Sequence, residues 1–350
     1  MADIAAIGTA LPRREYAQPE IERLCAAAFE DALAPAKRAS IFAHAGVARR
    51  RLVEEASYYF SAPPFSRRNA DFLKHASALA EAAIGAALEG AGARHGDVDH
   101  VFSVTTTGLL TPSLEAHLAQ RLPFKRRLKR TPLFGVGCAG GAVALARAFE
   151  YLRAYPEQTA LVSATELCSL SFLPRDGSAT QLVAAALFAD GAAAAVLRGE
   201  QAAGKPARAR IVAAESVLIE DSLDVMGWDF GEDGMRLVLS PRAPELVETH
   251  LRAAVEPFLR RHGAAVDRVA RFILHPGSAR ILDACERALD LPAGATEGSR
   301  RFLASHGNLS SASVLFILKE ALEVLRPGEL AFLAALGPGF ACEMLLLEGR

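Results

Sequence analysis

The chain has 350 residues, half of them apolar and 23% charged, with a formal net charge of −1. That length suggests two domains or two fused halves, and the near-zero charge gives no general pull toward nucleic acid or anionic membranes. Five cysteines (25, 138, 168, 285 and 342) form no CxxC pair, so neither a disulfide framework nor a zinc site follows, and a reducing cytoplasm is the expected setting. The N-terminus lacks a basic region followed by a long apolar core, and no apolar run of ~18 residues predicts a membrane span.

In chain order, residues 4–11 read as a strand ending at Pro12, followed by a polar helical region that includes 21–33. The arginines at 49–51 read as a solvated turn. Asn69 is an expected N-cap for an Ala/Leu helix reaching residue 88, closed by Gly90 and Gly92. Residues 98–107 predict a strand that runs into a turn at Gly108 and Pro112. The basic run at 125–130 reads as an exposed loop, since no aromatic residues interleave it as a nucleic-acid platform requires. Residues 133–136 predict a buried strand. It meets Gly-Cys-Ala-Gly-Gly at 137–141 and then an alanine-rich helix. Residues 159–165 predict another buried strand, and 181–188 a short helix. Asp190-Gly191 then reads as a turn into a small-residue strand.

The Gln/Ala/Gly/Lys/Pro stretch at 200–210 is the expected linker, dividing the chain into halves at 1–205 and 206–350. The second half repeats the alternation, with strands at 211–219, 236–239, 272–275, 330–336 and 342–347. Its helices fall at 244–261, 279–289 and 310–325. Such alternation predicts a layered α/β architecture with mostly parallel pairing.

Three turns carry chemistry-bearing residues. Cys138 stands at a helix start, where free N–H groups and the helix dipole favour an anion, so its pKa is expected to fall below the ordinary thiol value of ~8.5. The glycines around it allow a bound carbonyl oxygen to approach main-chain donors. His275 ends an apolar strand before Pro276-Gly277, and Asn308 precedes an apolar helix. Taken singly, each has an ordinary structural use: buried thiol, capped histidine, turn asparagine. Together they form a nucleophile, an imidazole that can pair with a thiolate, and a carboxamide donor that does not titrate.

With the Cys138 turn, His275-Pro-Gly, Gly307-Asn-Leu-Ser-Ser-Ala and Gly337-Pro-Gly-Phe340, the chain resembles type III polyketide synthases, the chalcone-synthase-like branch of the thiolase superfamily. The resemblance spans nearly the whole chain. It implies a thiolase-like αβαβα fold of two pseudo-equivalent halves with mixed sheets, in a cytoplasmic homodimer. The implied activity is loading of an acyl-CoA starter, decarboxylative condensation with malonyl-CoA, and cyclisation. No cofactor is implied beyond the CoA substrates, and neither a nucleic acid nor a membrane is a partner.

By the same resemblance Cys138 carries the acyl chain, while His275 and Asn308 polarise the malonyl thioester. Phe188 matches a gatekeeper, and Leu237 replaces the second one. Thr106, Cys168 and Trp228 match cavity-lining positions. Cys168 stands where a plant chalcone synthase has Thr, and Trp228 replaces a small residue. Gly337, Pro338, Gly339 and Phe340 form the late substrate-side loop, and Arg280, Arg49 and Arg50 match the CoA mouth. The less polar cavity resembles bacterial members that take fatty acyl starters to alkylpyrones or alkylresorcinols. The rivals are an initiating ketoacyl-acyl-carrier-protein synthase, a cysteine hydrolase, and a catalytically silent acyl-binding homologue.

Overall fold

A computed structural model describes residues 1–28, 34–173 and 176–350. The far end of the helix expected at 21–33 therefore lies outside the described residues, and its described part is the helix Gln18–Ala28. A nine-stranded sheet organises the chain. Its order is Val269–Leu274, Leu330–Gly337, Ala341–Gly349, Ala209–Leu218, Ala2–Ala10, Asp190–Gly199, Thr159–Leu167, His100–Val104 and Lys129–Leu133. Among the strands of this sheet, in the described residues, parallel pairing is confined to the first pair in that order and the last three strands. The remaining ladders are antiparallel, so the expectation of mostly parallel pairing is corrected to a mixed sheet. The sheets of the two halves join through Ala2–Ile4 against Ala209–Ile211. The boundary expected at 205/206 falls in the connection between Asp190–Gly199 and Ala209–Leu218.

Side-chain alternation along the strands builds the layers. In Thr159–Leu167, Ala160, Val162 and Ala164 face a central core, while Leu161 and Leu167 face an outer one. In Leu330–Gly337, Ala331, Leu333 and Ala335 face the same central core, while Phe332, Ala334 and Leu336 face a third. Helices Gly140–Ala154 and Ser313–Val324 lie in the central core between the two halves of the sheet. Phe65–Ala91 covers the outer face of the first half, and Ala243–Arg261 with Ala279–Leu289 covers that of the second. The result is the layered α/β fold expected.

Several local expectations need correction. The strand before Cys138 is Lys129–Leu133, an edge strand with exposed residues, rather than a buried run at 133–136. Pro132 lacks a ladder donor and suits an edge, and Phe134 beyond the strand is 49% exposed. Residues 49–51 are not a turn: Arg49–Leu52 pairs antiparallel with Arg14–Ala17. Asn69 lies inside Phe65–Ala91 rather than at its cap. Its amide donates to Leu109 O at 2.7 Å and accepts from Leu109 N at 2.8 Å, holding the loop after His100–Val104. Gly92, in the left-handed region at φ 63°, closes that helix as expected. Asp190-Gly191 opens a strand without a turn. Gly234–Leu239 pairs with Met226–Gly231 in a separate ribbon, and the helix Glu297–His306 was not expected.

Candidate active site

The Cys138 turn is shaped by close packing. Cys138 lies in the short 3-10 turn Gly137–Ala139, immediately before the helix Gly140–Ala154. Gly137 has φ +48°, and a Cβ there would stand 2.4 Å from the Pro338 ring. A Cβ on Gly141 would stand 2.3 Å from Ser311 O, so the two central helices meet at their N-termini only because that side chain is absent. Their meeting brings the Cys138 turn and the Asn308 turn together.

Asn308 follows Gly307, which ends Glu297–His306 at φ +73°. Its backbone is fixed on both sides: its N–H donates to Leu187 O at 2.8 Å, and its carbonyl accepts from Ala189 N at 2.9 Å. Phe188 is thereby paired beside it. The Asn308 carboxamide accepts from Ser310 N at 2.8 Å and donates to Gly277 O at 3.3 Å. It also hydrogen-bonds the Cys138 side chain, as does Ser310, and both bonds favour the thiolate. His275 directly follows Val269–Leu274, and its N–H donates to Ala334 O at 2.9 Å. The imidazole is 6% exposed, and among the described residues neither ring nitrogen has a hydrogen-bond partner. The Asn308–Gly277 bond joins its turn to the carboxamide.

The charge state differs from the expectation. Burial pushes the Cys138 thiol up to about 11, outweighing the bonds from Ser310 and Asn308, with the buried Glu166 adding to the rise. Burial also pulls His275 down to about 3. At neutral pH Cys138 is therefore a thiol and His275 a neutral imidazole, not the preformed thiolate that a helix N-terminus alone suggests. Desolvation wins because it outweighs the hydrogen bonds that favour the thiolate. Alkylation of Cys138 by iodoacetamide should accordingly be slow at pH 7 and accelerate as pH rises toward about 11. A rate that levels off near pH 7 would contradict this.

Glu166 was not anticipated. It is fully buried and accepts from Thr106 N at 3.0 Å and Thr107 Oγ1 at 2.7 Å, and from the hydroxyl of Ser311. Burial raises its pKa. It ties the loop after His100–Val104 to the Asn308 turn. Its only signal in the sequence is a carboxylate near the end of an otherwise uncharged strand.

A cavity of about 620 Å³ opens beside these groups. Cys138, Asn308, Phe188, Leu237, Thr106, Cys168, Trp228 and Pro338 all line it. Trp228 and Leu237 face each other as a cross-strand pair in the ribbon. His275, Gly337, Gly339 and Phe340 are not in its wall. Gly337 instead packs under the Cys138 turn, where a Cβ would meet Val136 O at 2.5 Å. Phe340 is fully buried in the outer core of the second half.

The three arginines separate. Arg280 is exposed and lines the cavity together with Lys37, Ser40 and His44. Arg49 is exposed at a different depression, with Glu15 and Ser305. Arg50 is 1% exposed and turned inward. Its guanidinium donates to Ala185 O at 2.6 Å, to Phe188 O at 3.0 Å, and to Ala186 O and the Gln18 side chain. Its terminal nitrogens are therefore committed to fixing the backbone before and at Phe188.

The family model for chalcone and stilbene synthases matches in both parts, the N-terminal domain over residues 52–201 and the C-terminal domain over 210–349. A 1,3,6,8-tetrahydroxynaphthalene synthase from Streptomyces peucetius subsp. caesius is 42% identical, covering 99% of this chain and 92% of that protein. A putative chalcone synthase from Bacillus subtilis (strain 168) is 37% identical, covering 99% of each. The crystal structure of 1,3,6,8-tetrahydroxynaphthalene synthase from Streptomyces coelicolor A3(2), a bacterial type III polyketide synthase, superposes with a TM-score of 0.94 at 30% identity over 99% of both chains. A layered fold, a glycine-framed cysteine and these whole-chain matches lead to one conclusion: the chain belongs to the chalcone and stilbene synthase family, as a type III polyketide synthase.

Proposed function

We propose that Cys138, His275 and Asn308 carry out loading, decarboxylation and condensation. The observation that carries this reading is the Cys138 thiol, hydrogen-bonded by Asn308 and Ser310 in the wall of the 620 Å³ cavity. The neutral imidazole of His275 takes the thiol proton as sulfur attacks the acyl-CoA carbonyl, and the CoA thiolate leaves. The Asn308 amide and His275 then donate to the malonyl thioester oxygen. The enolate formed as CO₂ departs is held by these donors and attacks the Cys138-bound acyl carbonyl, forming a carbon–carbon bond and freeing the sulfur. Since CO₂ loss generates the nucleophile, this chemistry needs no cofactor besides the CoA thioesters. Arg280 and Lys37, both exposed at the cavity, supply charge for CoA phosphates.

Two starters are in contention. Ile21, Leu24, Cys25, Ile41, Met226 and Leu239 line the cavity and suit a fatty acyl starter, leading to an alkylpyrone or alkylresorcinol. Whole-chain similarity to a tetrahydroxynaphthalene synthase favours priming and extension by malonyl-CoA alone, leading to a fused aromatic product. Incubation with malonyl-CoA alone and with a ladder of acyl-CoA starters, read by product mass, separates them. A product from malonyl-CoA alone that longer starters leave unchanged would remove the fatty reading, and absence of that product would remove the other.

A homodimer in the cytoplasm completes the proposal. Among the described residues Lys129–Leu133 leaves one edge unpaired. Beyond it the exposed Phe134 lies against the exposed Phe230, ring centroids 6.5 Å apart and tilted by 44°. The five cysteines are free thiols, and no helix among the described residues is long and apolar enough to cross a membrane.

A further inference from the structure

A second buried polar chain reaches the same cavity and plays no part in loading or condensation. Tyr59, on the short helix Ala56–Phe60, and Ser169, in the turn Cys168–Ser171, both line it. The Tyr59 hydroxyl lies 2.8 Å from Ser169 Oγ, which lies 2.6 Å from Asp190 Oδ2. The direction of these bonds follows from the other donors. Asp190 also accepts from Ser169 N at 2.9 Å and Val53 N at 2.8 Å, so as a carboxylate it is purely an acceptor. The Ser169 proton therefore points to Asp190, which leaves the serine oxygen to accept from Tyr59. Glu54 N donates to the phenol oxygen at 3.2 Å. Asp190 is fully buried at the start of its strand.

Resting on the polyketide-synthase reading above, we propose that Tyr59 is a catalytic residue of ring closure, with Ser169 and Asp190 behind it as a proton relay that favours carbon–carbon closure over lactone formation. The linear polyketide carries methylene groups between two carbonyls. A proton passes from such a carbon to the Tyr59 oxygen as the Tyr59 proton moves to Ser169 and the Ser169 proton moves to Asp190. The C–H electron pair becomes an enolate and forms the new bond to a carbonyl carbon further along the chain. That carbonyl's π pair becomes an alkoxide, which takes the proton back along the same path. Atoms and charge balance, and loss of water from the adduct gives the aromatic ring. When no base reaches the carbon, an enol oxygen of the chain attacks the thioester instead and a lactone forms.

The groups facing Asp190 are Arg50, His75, Tyr59 and Cys168. His75 is itself paired with Glu54 at 2.7 Å. Burial raises Asp190 to about 6, against the bonds it accepts. It is thus an acceptor above that pH and a spent one below it.

The test compares wild type, Tyr59→Phe and Ser169→Ala with malonyl-CoA, alone and with acyl-CoA starters. It reads CO₂ release, the acyl adduct on Cys138 by intact mass, and the ratio of carbon-closed to lactone products. In Y59F, CO₂ release and adduct should stay within about twofold of wild type while the ratio falls by at least ~10-fold, the lower side of what general acid–base catalysis supplies. S169A should follow it. The wild-type ratio should also fall as pH drops through about 6, and Y59F should lose that dependence. An unchanged ratio in both variants, a wild type that makes lactones only, or a uniform loss of CO₂ release, adduct and product together would overturn the relay. A wild type that neither releases CO₂ nor forms an adduct would instead overturn the polyketide-synthase reading beneath it.

Discussion

Cys138→Ala should abolish starter loading and product formation, with turnover falling by at least ~10⁴-fold, since removing a covalent nucleophile leaves only the surrounding donors to act. Intact mass after acyl-CoA exposure should show no adduct, whereas wild type gains one acyl group. The fold should survive, because alanine fits a turn framed by glycines and removes only a sulfur that burial keeps as the thiol. Residual decarboxylation of malonyl-CoA is expected, because Asn308 and His275 remain to hold the enolate. An adduct of unchanged yield in the variant would move the nucleophile to another of the five cysteines, with Cys168 the first to examine since it lines the same cavity.

Asn308→Ala should lower malonyl decarboxylation by ~10²–10³-fold, the usual effect of deleting one donor to a developing oxyanion. Starter loading should suffer less. Loading needs the sulfur and the base, and Ser310 still hydrogen-bonds the thiol when the amide is gone. The comparison is CO₂ release against adduct formation in the same preparation. Equal losses of both would show that Asn308 acts on the sulfur or on the position of the Gly277 turn, and would refute its role as an enolate donor.

Much of this was legible in the sequence because it is local. The helix Ala279–Leu289 has the bounds its apolar periodicity predicted, and Gly92 closes its helix as a left-handed residue should. The Cys138, His275 and Asn308 turns stand at element ends, where apolar runs break off. What the chain does not display is long-range. Arg50 reads as one of three solvated arginines until its carbonyl partners, about 135 residues away, are known. The direction of the Cys138 shift depends on how completely the sulfur is desolvated, which no motif encodes. Tyr59, Ser169 and Asp190 come from three separate elements, and Ser169 beside a cavity cysteine gives no hint of a partner 110 residues earlier. The polar ribbon of Arg14–Ala17 and Arg49–Leu52 is invisible in the sequence because four-residue strands with charged side chains carry no periodicity.

The abutting starts of Gly140–Ala154 and Ser313–Val324 have an evolutionary corollary. With backbone rather than flexible side chains at the crossing, a bulkier residue at 141 on one side demands a matching retreat at 311 on the other. Chimaeras that exchange the first 205 residues between relatives should therefore fail unless both helix starts travel as a set, and diversification of product is steered toward the ribbon carrying Trp228 and Leu237. Variation there can redraw the chamber without disturbing the keystone.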